Sequence, residues 1–431
     1  MAACAIAASA GARAQDEEFR VYTEHPRLIL TAQRLRLLKR ERDRDSPRWH
    51  QFHALVAGGV TLPETGFALA LDYAVSGDPG AGKRAVDWAL APSAADLRQL
   101  ALVYDWCQPI LTPPQSSALA VKIRQLLAKN TADSIAARRD RAFALIATAG
   151  DSAHPEEAPL RDLVKNWWTA RFAPALSGGH AAPPLPDFYA LLEILHAVRD
   201  NLKIDFREAA PQYFIRLPVL LIAANYPAPY RAPENDFRIP MYSGSGQPDL
   251  NRAALTRAAG LAMVAFDHNS LPNQYLQGWL MLDRYSMFTA FGAPYEFLWA
   301  NPYQPGLSYD QLPLIFHDSD SGALFVRSSW DEGAGWFGLY AGDAELFHDG
   351  HAAALGANTP VRLGDATIIR APAPFKFSME GGTVAAVGLK PNAKYLVEAD
   401  DEEMREVPAD PAGTLLLEYP PNRAAGIRIH E

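Results

Sequence analysis

The sequence predicts a multidomain α + β chain, an N-terminal α/α toroid, complete or incomplete, followed by a C-terminal antiparallel β-sandwich. Two observations predict it. From about residue 26 to 300 apolar residues recur at helical spacing, in segments joined by short polar or Pro-rich connections. After Pro302 the period changes to short strand-like runs separated by turn residues. A length of 431 residues suits two domains, and 34 prolines with 29 glycines punctuate the chain without making it low-complexity. The expected division is a signal peptide over 1–14, a toroid over 15–310 and a β-sandwich over 311–431.

The first expected helix starts at Thr31, a good N-cap, and carries Leu35, Leu37 and Leu38 among Arg and Lys. Further helices are expected around Leu69 to Tyr73, Leu97 to Val103, Leu119 to Leu127, Phe143 to Ala149, Phe188 to Val198 and Tyr213 to Ala224. The last two run from Ala253 to Phe266 and from Gln274 to Phe291. Many antiparallel helix pairs with short connections point to a toroid. No sequence repeat of fixed period accompanies them. Strands are expected at Ala323 to Arg327 and Trp336 to Tyr340, a hairpin about Trp330-Asp331-Glu332-Gly333. More are expected at 367–370, 375–378, 383–388, 395–398, 414–418 and 427–429. The acidic run Asp400 to Glu403 reads as a solvated loop.

Residues 2–12 are small and apolar, and Ala12-Arg13-Ala14 precedes Gln15 and three acids, an A-x-A cleavage pattern lacking only its basic n-region. The expected location is therefore the periplasm or outside the cell. Removing the leader removes Cys4 and leaves Cys107, so no intrachain disulfide is expected. No later segment is apolar and charge-free for the ~20 residues of a spanning helix. A net charge of −9 argues against a nucleic-acid partner, and an anionic substrate would need a locally basic cleft. Oligomeric state is left open.

Three stretches together resemble the heparinase II/III family of polysaccharide lyases. The first is His25-Pro26-Arg27-Leu28 with Ser46-Pro47-Arg48-Trp49, similar to the family's opening helix. The second is Ala101 to Trp106 with Leu111-Thr112-Pro113. The third is Val326-Arg327-Ser328-Ser329-Trp330-Asp331 followed by Trp336 and Ala341-Gly342-Asp343, similar to the family's Arg-Ser-x-Trp hairpin. The resemblance implies a toroid plus β-sandwich, here with a shorter β domain than is usual, and β-elimination on a uronic-acid-containing polysaccharide. That chemistry needs a group to quench the uronate carboxylate, a base for the proton alpha to it and an acid for the leaving oxygen.

By that resemblance Tyr189, after the loop Ser177-Gly178-Gly179-His180, is the expected base or acid; the alternative is a core aromatic. His180, His351 or Arg238 would neutralise the carboxylate. His348 and His351 could also form half of a structural zinc site, although no cofactor is required; otherwise they are loop histidines. No Asn-x-x-x-His arrangement precedes Phe143; Asn130 and the arginines 138, 139 and 141 stand there instead. Arg141 is a candidate for uronate or sulfate, or part of a solvated helix face. Trp167 and Trp168 are candidate stacking platforms or core residues. Arg231 and Tyr242 lie in a long Pro, Tyr, Gly and Ser-rich loop of the kind that lines sites. Two other functions stay open: a non-catalytic glycan-binding or structural protein on the same scaffold, and a toroid glycoside hydrolase using carboxylates such as Asp187 and Glu234.

Overall fold

In a computed structural model the described residues are 19–21, 23–150, 154–231, 236–241, 249–282, 287–370, 374–379, 381–400, 403–420 and 425–430. The expected leader and Tyr242 lie outside them. The helices are α1 (Ala32–Asp43), α2 (Pro47–Ala57), α3 (Thr65–Ser76), α4 (Pro79–Leu90), α5 (Leu97–Trp106), α6 (Pro113–Lys129) and α7 (Ile135–Thr148). They continue with α8 (Glu157–Arg161), a π-helical stretch Asp162–Phe172, α9 (Ala173–Ser177), α10 (Asp187–Leu202), α11 (Pro211–Ala223), α12 (Leu250–Val264), α13 (Leu271–Leu282) and α14 (Ala293–Trp299).

Local chemistry sets the starts. The Thr31 and Ser46 hydroxyls accept the N–H groups of Arg34 and Trp49. Asp96, Ser134 and Asp249 cap α5, α7 and α12 in the same way. The sequence pattern does not reveal α4, whose Gly80 and Gly82 weaken helix propensity; Asp78 compensates by accepting from Gly80 and Ala81.

Six helices form a ring in which α3, α5, α7, α10, α12 and α14 pack successively, and α14 closes it against α2 and α3. The sequence pattern runs the preceding helix on to Phe291 and does not reveal α14, which as a separate element completes the ring. Tyr295 on α14 packs 5.3 Å from Phe67 of α3 and 4.9 Å from Tyr189 of α10, between ring centroids. The carboxyl ends of the ring helices gather beneath residues 25–42. Arg27 donates to the carbonyls of Ile146 and Ala149 at the end of α7, Arg42 to Val75 of α3 and Arg34 to Trp299 of α14. These are the orphan carbonyls every helix leaves at its C-terminus.

Among the strands, β1 (Tyr230–Arg231) and β2 (Asp236–Phe237) form a small hairpin. β3 (Ile315–Asp318), β4 (Ala323–Arg327), β5 (Trp336–Tyr340), β6 (Asp343–His348) and β7 (His351–Ala353) form an antiparallel meander. The remaining strands are β8 (Val361–Leu363), β9 (Ala366–Arg370), β10 (Phe375–Met379), β11 (Gly382–Val387), β12 (Lys394–Ala399), β13 (Glu403–Pro408), β14 (Leu415–Tyr419) and β15 (Ala425–His430). They make two sheets of order β14-β11-β9-β8 and β10-β15-β12-β13. Pairing is antiparallel except between β9 and β11, because the chain crosses into the outer sheet as β10 before returning in the same direction.

The sheet containing β9 is the middle of three layers. One face packs Leu363, Ile368 and Val387 against Leu324, Val326 and Phe337 of the meander. Its other face packs Ile369, Val384 and Leu417 against Tyr395, Ile427 and Ile429 of the outer sheet. The meander's far face, with Phe325, Trp336, Tyr340 and Phe347, joins the core of the helical ring. Alternation explains why all of β4 is buried: Leu324 and Val326 face the sheets, Phe325 and Arg327 the helices.

The Arg-Ser-Ser-Trp segment is the latch of this interface. Arg327 donates to the carbonyls of Ile222 and Ala223 at 3.2 Å, capping α11, and to Asn225. Its guanidinium lies 4.6 Å from the Trp330 ring centroid, and Trp336 Nε1 donates to Ala223 at 2.9 Å. Burial and the nearby Arg238 push its pKa down to about 9, still above neutral. Gly179, at φ 69°, meets the β3–β4 turn so closely that a Cβ would sit 1.4 Å from the Asp320 carbonyl oxygen. No helix among the described residues is long and apolar enough to cross a membrane.

Arg327→Ala should destabilise the chain by roughly 3 kcal/mol, because it strands buried carbonyls. Arg327→Lys should recover only part, lacking the planar fork and the stacking. Denaturant unfolding measures both, and a loss below about 1 kcal/mol for the alanine variant would remove the latch interpretation.

Candidate functional site

The axis of the ring is a column of ionisable groups. Glu193 and Tyr189 lie one turn apart on α10 and so share its inner face. Arg98 of α5 donates to both Glu193 oxygens at 2.7–3.2 Å, to Glu64 at 2.9 Å and to the Tyr189 hydroxyl at 3.4 Å. Arg139 of α7 donates to Glu193 at 2.6 Å. The Tyr189 hydroxyl also accepts from Trp299 Nε1 at 3.2 Å, and Tyr295 donates to Glu64. Groups from five of the six ring helices or their caps thus meet in one cluster about Arg98.

The electrostatics follow from burial. Glu193 is fully buried, which alone would raise its pKa, but Arg98 and Arg139 outweigh that and hold it below the usual carboxylate value. Burial raises Tyr189 and Tyr295 well above the ordinary phenol value, Glu193 adding to the effect at Tyr189. Tyr189, 1% exposed, is a sealed, protonated phenol.

At the amino ends of the ring helices the column reaches the surface. A depression of about 390 Å³ is lined by Asp96, Lys129, Asn130, Arg139 and Asp140. Arg139 Nε donates to Asp140 at 2.7 Å and Nη1 to Glu193, while Nη2 makes no hydrogen bond among the described residues. Asp187, the first residue of α10, is half-buried. Burial raises both Asp140 and Asp187 above the usual carboxylate value, with Arg139 opposing in each case. A guanidinium with a donor to spare can bind an anion, and carboxyls of raised pKa beside it hold a proton more readily than an ordinary carboxylate.

The structure distributes the sequence-derived candidates rather than gathering them. Tyr189 has Arg98, Trp299 and Glu193 as polar partners and none of the other candidates. His180 is exposed on the loop before α10. His348 and His351 face each other across the β6–β7 hairpin; His348 pairs with Asp349 at 3.0 Å and His351 Nδ1 lies 3.0 Å from the Asp349 carbonyl. No group of three or more His, Cys, Asp or Glu positioned for a metal occurs among the described residues. Arg238 pairs with Glu332 at 3.9 Å beside the latch.

Trp167 and Trp168 offer no sugar platform, because both are core residues: Trp168 stacks on Phe206 at 4.6 Å and donates to its carbonyl, and Trp167 lies under Arg138. Arg141 caps the end of α6 through the carbonyls of Asn130 and Ala132. The Arg231 side chain, Tyr242 and Glu234 lie outside the described residues. Sequence reasoning does not single out Arg98 or Glu193, and reaches Arg139 only as one of a run. A signal exists, since Glu193 stands alone as an acid in the apolar run from Phe188 to Leu195. A lone charge on an inward helix face requires a partner.

No protein-family model matches the sequence, and no curated protein matches it. Solved structures that resemble it include the heparan sulfate lyase HepC from Pedobacter heparinus, at 15% identity and TM-score 0.37 over 84% of this chain and 75% of that one. A mutant of the same lyase aligns at 14% identity and TM-score 0.38 over the same shares. A glycoside hydrolase aligns at 9% identity and TM-score 0.32 over 85% of this chain and 71% of its own.

Glu193→Gln should cost about 3 kcal/mol or more, since it leaves two buried guanidiniums under-neutralised. Because the folded carboxyl lies below its ordinary 4.5, its stabilisation is present above that pH and is lost as pH falls through the folded value. Stability measured between neutral pH and pH values below 4.5 should therefore converge for wild type and variant as the medium is acidified.

Proposed function

We propose that this chain acts on a uronic-acid-containing polysaccharide by β-elimination at the amino-terminal mouth of the helical ring. The observation that supports the reading is Arg139, held rigidly by Glu193 and Asp140 with Nη2 unspent, beside carboxyls of raised pKa. In this reading Nη2 of Arg139 donates to the uronate carboxylate and stabilises the charge that develops when the alpha proton leaves. Asp187 takes that proton. The electron pair forms the new carbon–carbon double bond, the glycosidic carbon–oxygen bond breaks, and the leaving oxygen is protonated by Asp140 or water. Tyr189 is a positioning residue that supports Arg98, and through Glu193 the orientation of Arg139. Export and a location in the periplasm or outside the cell belong to the same proposal.

The same raised pair of carboxyls favours a second reading, hydrolysis, in which one is the acid and the other the base. One set of digests separates them. Heparin, heparan sulfate, chondroitin sulfate, hyaluronan, alginate and pectin are followed for ultraviolet absorbance of unsaturated uronate and for new reducing ends. Absorbance supports elimination; reducing ends without it support hydrolysis; neither product leaves the non-catalytic glycan-binding protein. If turnover is seen, Asp187→Asn should lower it by about 10²-fold with folding intact. Tyr189→Phe should destabilise the fold by about 1 kcal/mol and spare most of the turnover. Complete loss in a folded Tyr189→Phe variant would return the tyrosine to a catalytic role.

A further inference from the structure

A large groove lies at the opposite end of the ring, where the helix carboxyl ends gather. It is an open groove of about 1080 Å³ between α1 and the ends of α10, α12 and α14. Five cations line it: Arg34, Arg36, Lys39 and Arg40 from α1, and Arg199 from α10. Its carboxylates, Asp43 and Asp200, are already paired, with Arg42 at 2.6 Å and Arg199 at 2.9 Å. The groove is thus basic in a chain whose net charge is −9.

Capping explains only some of this charge. Arg34 and Arg42 donate to helix-end carbonyls, but Arg36 and Lys39 are exposed and make no ion pair or hydrogen bond among the described residues. Arg36, Lys39 and Arg40, at three- and four-residue spacing, form one row along α1. Arg40 is stacked 5.0 Å over Tyr303. On the groove floor Arg199 is fixed in place. His196 Nε2 donates to the Ala262 carbonyl, which leaves Nδ1 to accept from Arg199 at 3.2 Å. Arg34 and Arg199 repel each other there: Arg34 is pushed down to about 10 by burial first and Arg199 second. An anion between them would relieve that repulsion, and Gln33, Asn301 and Gln304 on the walls offer amides to hydroxyl groups.

We propose that this groove is a second binding site for the acidic polysaccharide, holding several sugars of a carboxylated or sulfated chain at the far end of the ring from the mouth. The identity of the ligand rests on the proposed function; the existence of the site does not. The probe is a heparin-derived octasaccharide, with a polygalacturonate fragment of equal length in parallel, titrated calorimetrically onto the full chain. The first variant is Arg36→Ala/Lys39→Ala/Arg40→Ala, three exposed side chains on one helix face. Arg36→Glu/Arg40→Glu is the second and reverses the charge of the row instead of shortening it.

Wild type should bind at least one fragment, more weakly as salt rises, and the triple variant should lose at least about tenfold in affinity with its unfolding midpoint unchanged. Turnover of short substrates, where there is any, should be the same in both, while KM for long chains rises in the variant. Affinities within twofold of wild type in both variants would overturn the site, whatever the turnover. Equal affinity for single-stranded DNA of matched length would overturn the glycan assignment, and so would absence of binding to either fragment. Failure of elimination with groove binding preserved would overturn the activity and leave the site standing.

Discussion

Glu193 is the constraint on which the helical domain depends. A carboxylate removed from water at the centre of a ring is stable only if cations meet it there, and two do, from α5 and α7. Each of those cations is then itself a constraint. Arg98 must also find Glu64 and stack among Phe67, Tyr189 and Tyr295, which ties α3, α5, α10 and α14 to one another across the axis. Such a network adds little net stability over an apolar core, but it penalises any register in which one helix is rotated or shifted. The ring's geometry is therefore specified from its centre outward, and Arg139 carries that rigidity to the surface.

The β sheets are held by the same logic at a smaller scale. Arg327 closes the end of α11 as Arg27, Arg34 and Arg42 close the ends of ring helices, and Trp336 shares the Ala223 carbonyl. Tyr340 donates to the Pro183 carbonyl, so the meander also grips the loop that leads into α10. The meander consequently fixes the approach to Asp187 without contributing its own histidines to it. The Arg-Ser-Ser-Trp signal in the sequence marks this docking, an architectural task that any catalytic use of the scaffold presupposes.

The helical and strand periods are legible because burial repeats every three to four or every two residues, and most elements stand where the period puts them. Elements that lack such a period are not legible: α4 depends on one aspartate cap, and α14 has seven residues. The middle sheet's parallel pair depends on a crossover that no local pattern records. The site is less legible than the fold. Tyr189 stands out because its surroundings resemble a family motif, yet its exposure is a property of five helices together. Trp167 and Trp168 read equally as platform or core until Phe206 and Arg138 are seen against them. Glu193 and Arg98 are nearly a hundred residues apart, and only closure of the ring makes them neighbours.

The two ends of the ring differ in sign for one reason. Its helices run the same way, with the carboxyl ends of α3, α5, α7 and α14 all beneath residues 25–42. Their dipoles therefore add, positive at the amino ends and negative at the carboxyl ends. Acidic side chains collect at the first: Glu64, Asp96, Asp187 and Asp249 stand at the starts of α3, α5, α10 and α12. Arginines collect at the second. The acidic polymer of the proposed function would meet different chemistry at each end: at the mouth carboxyls of raised pKa around one available guanidinium, at the groove a row of cations with few carboxylates to compete. The first arrangement suits turnover, which requires weak and selective contact with a charged ring. The second suits retention of a long chain, which requires many contacts of one sign. If the proposed function and the groove site hold, helix direction, set by the order in which the ring closes, divides the two tasks between opposite ends of one domain.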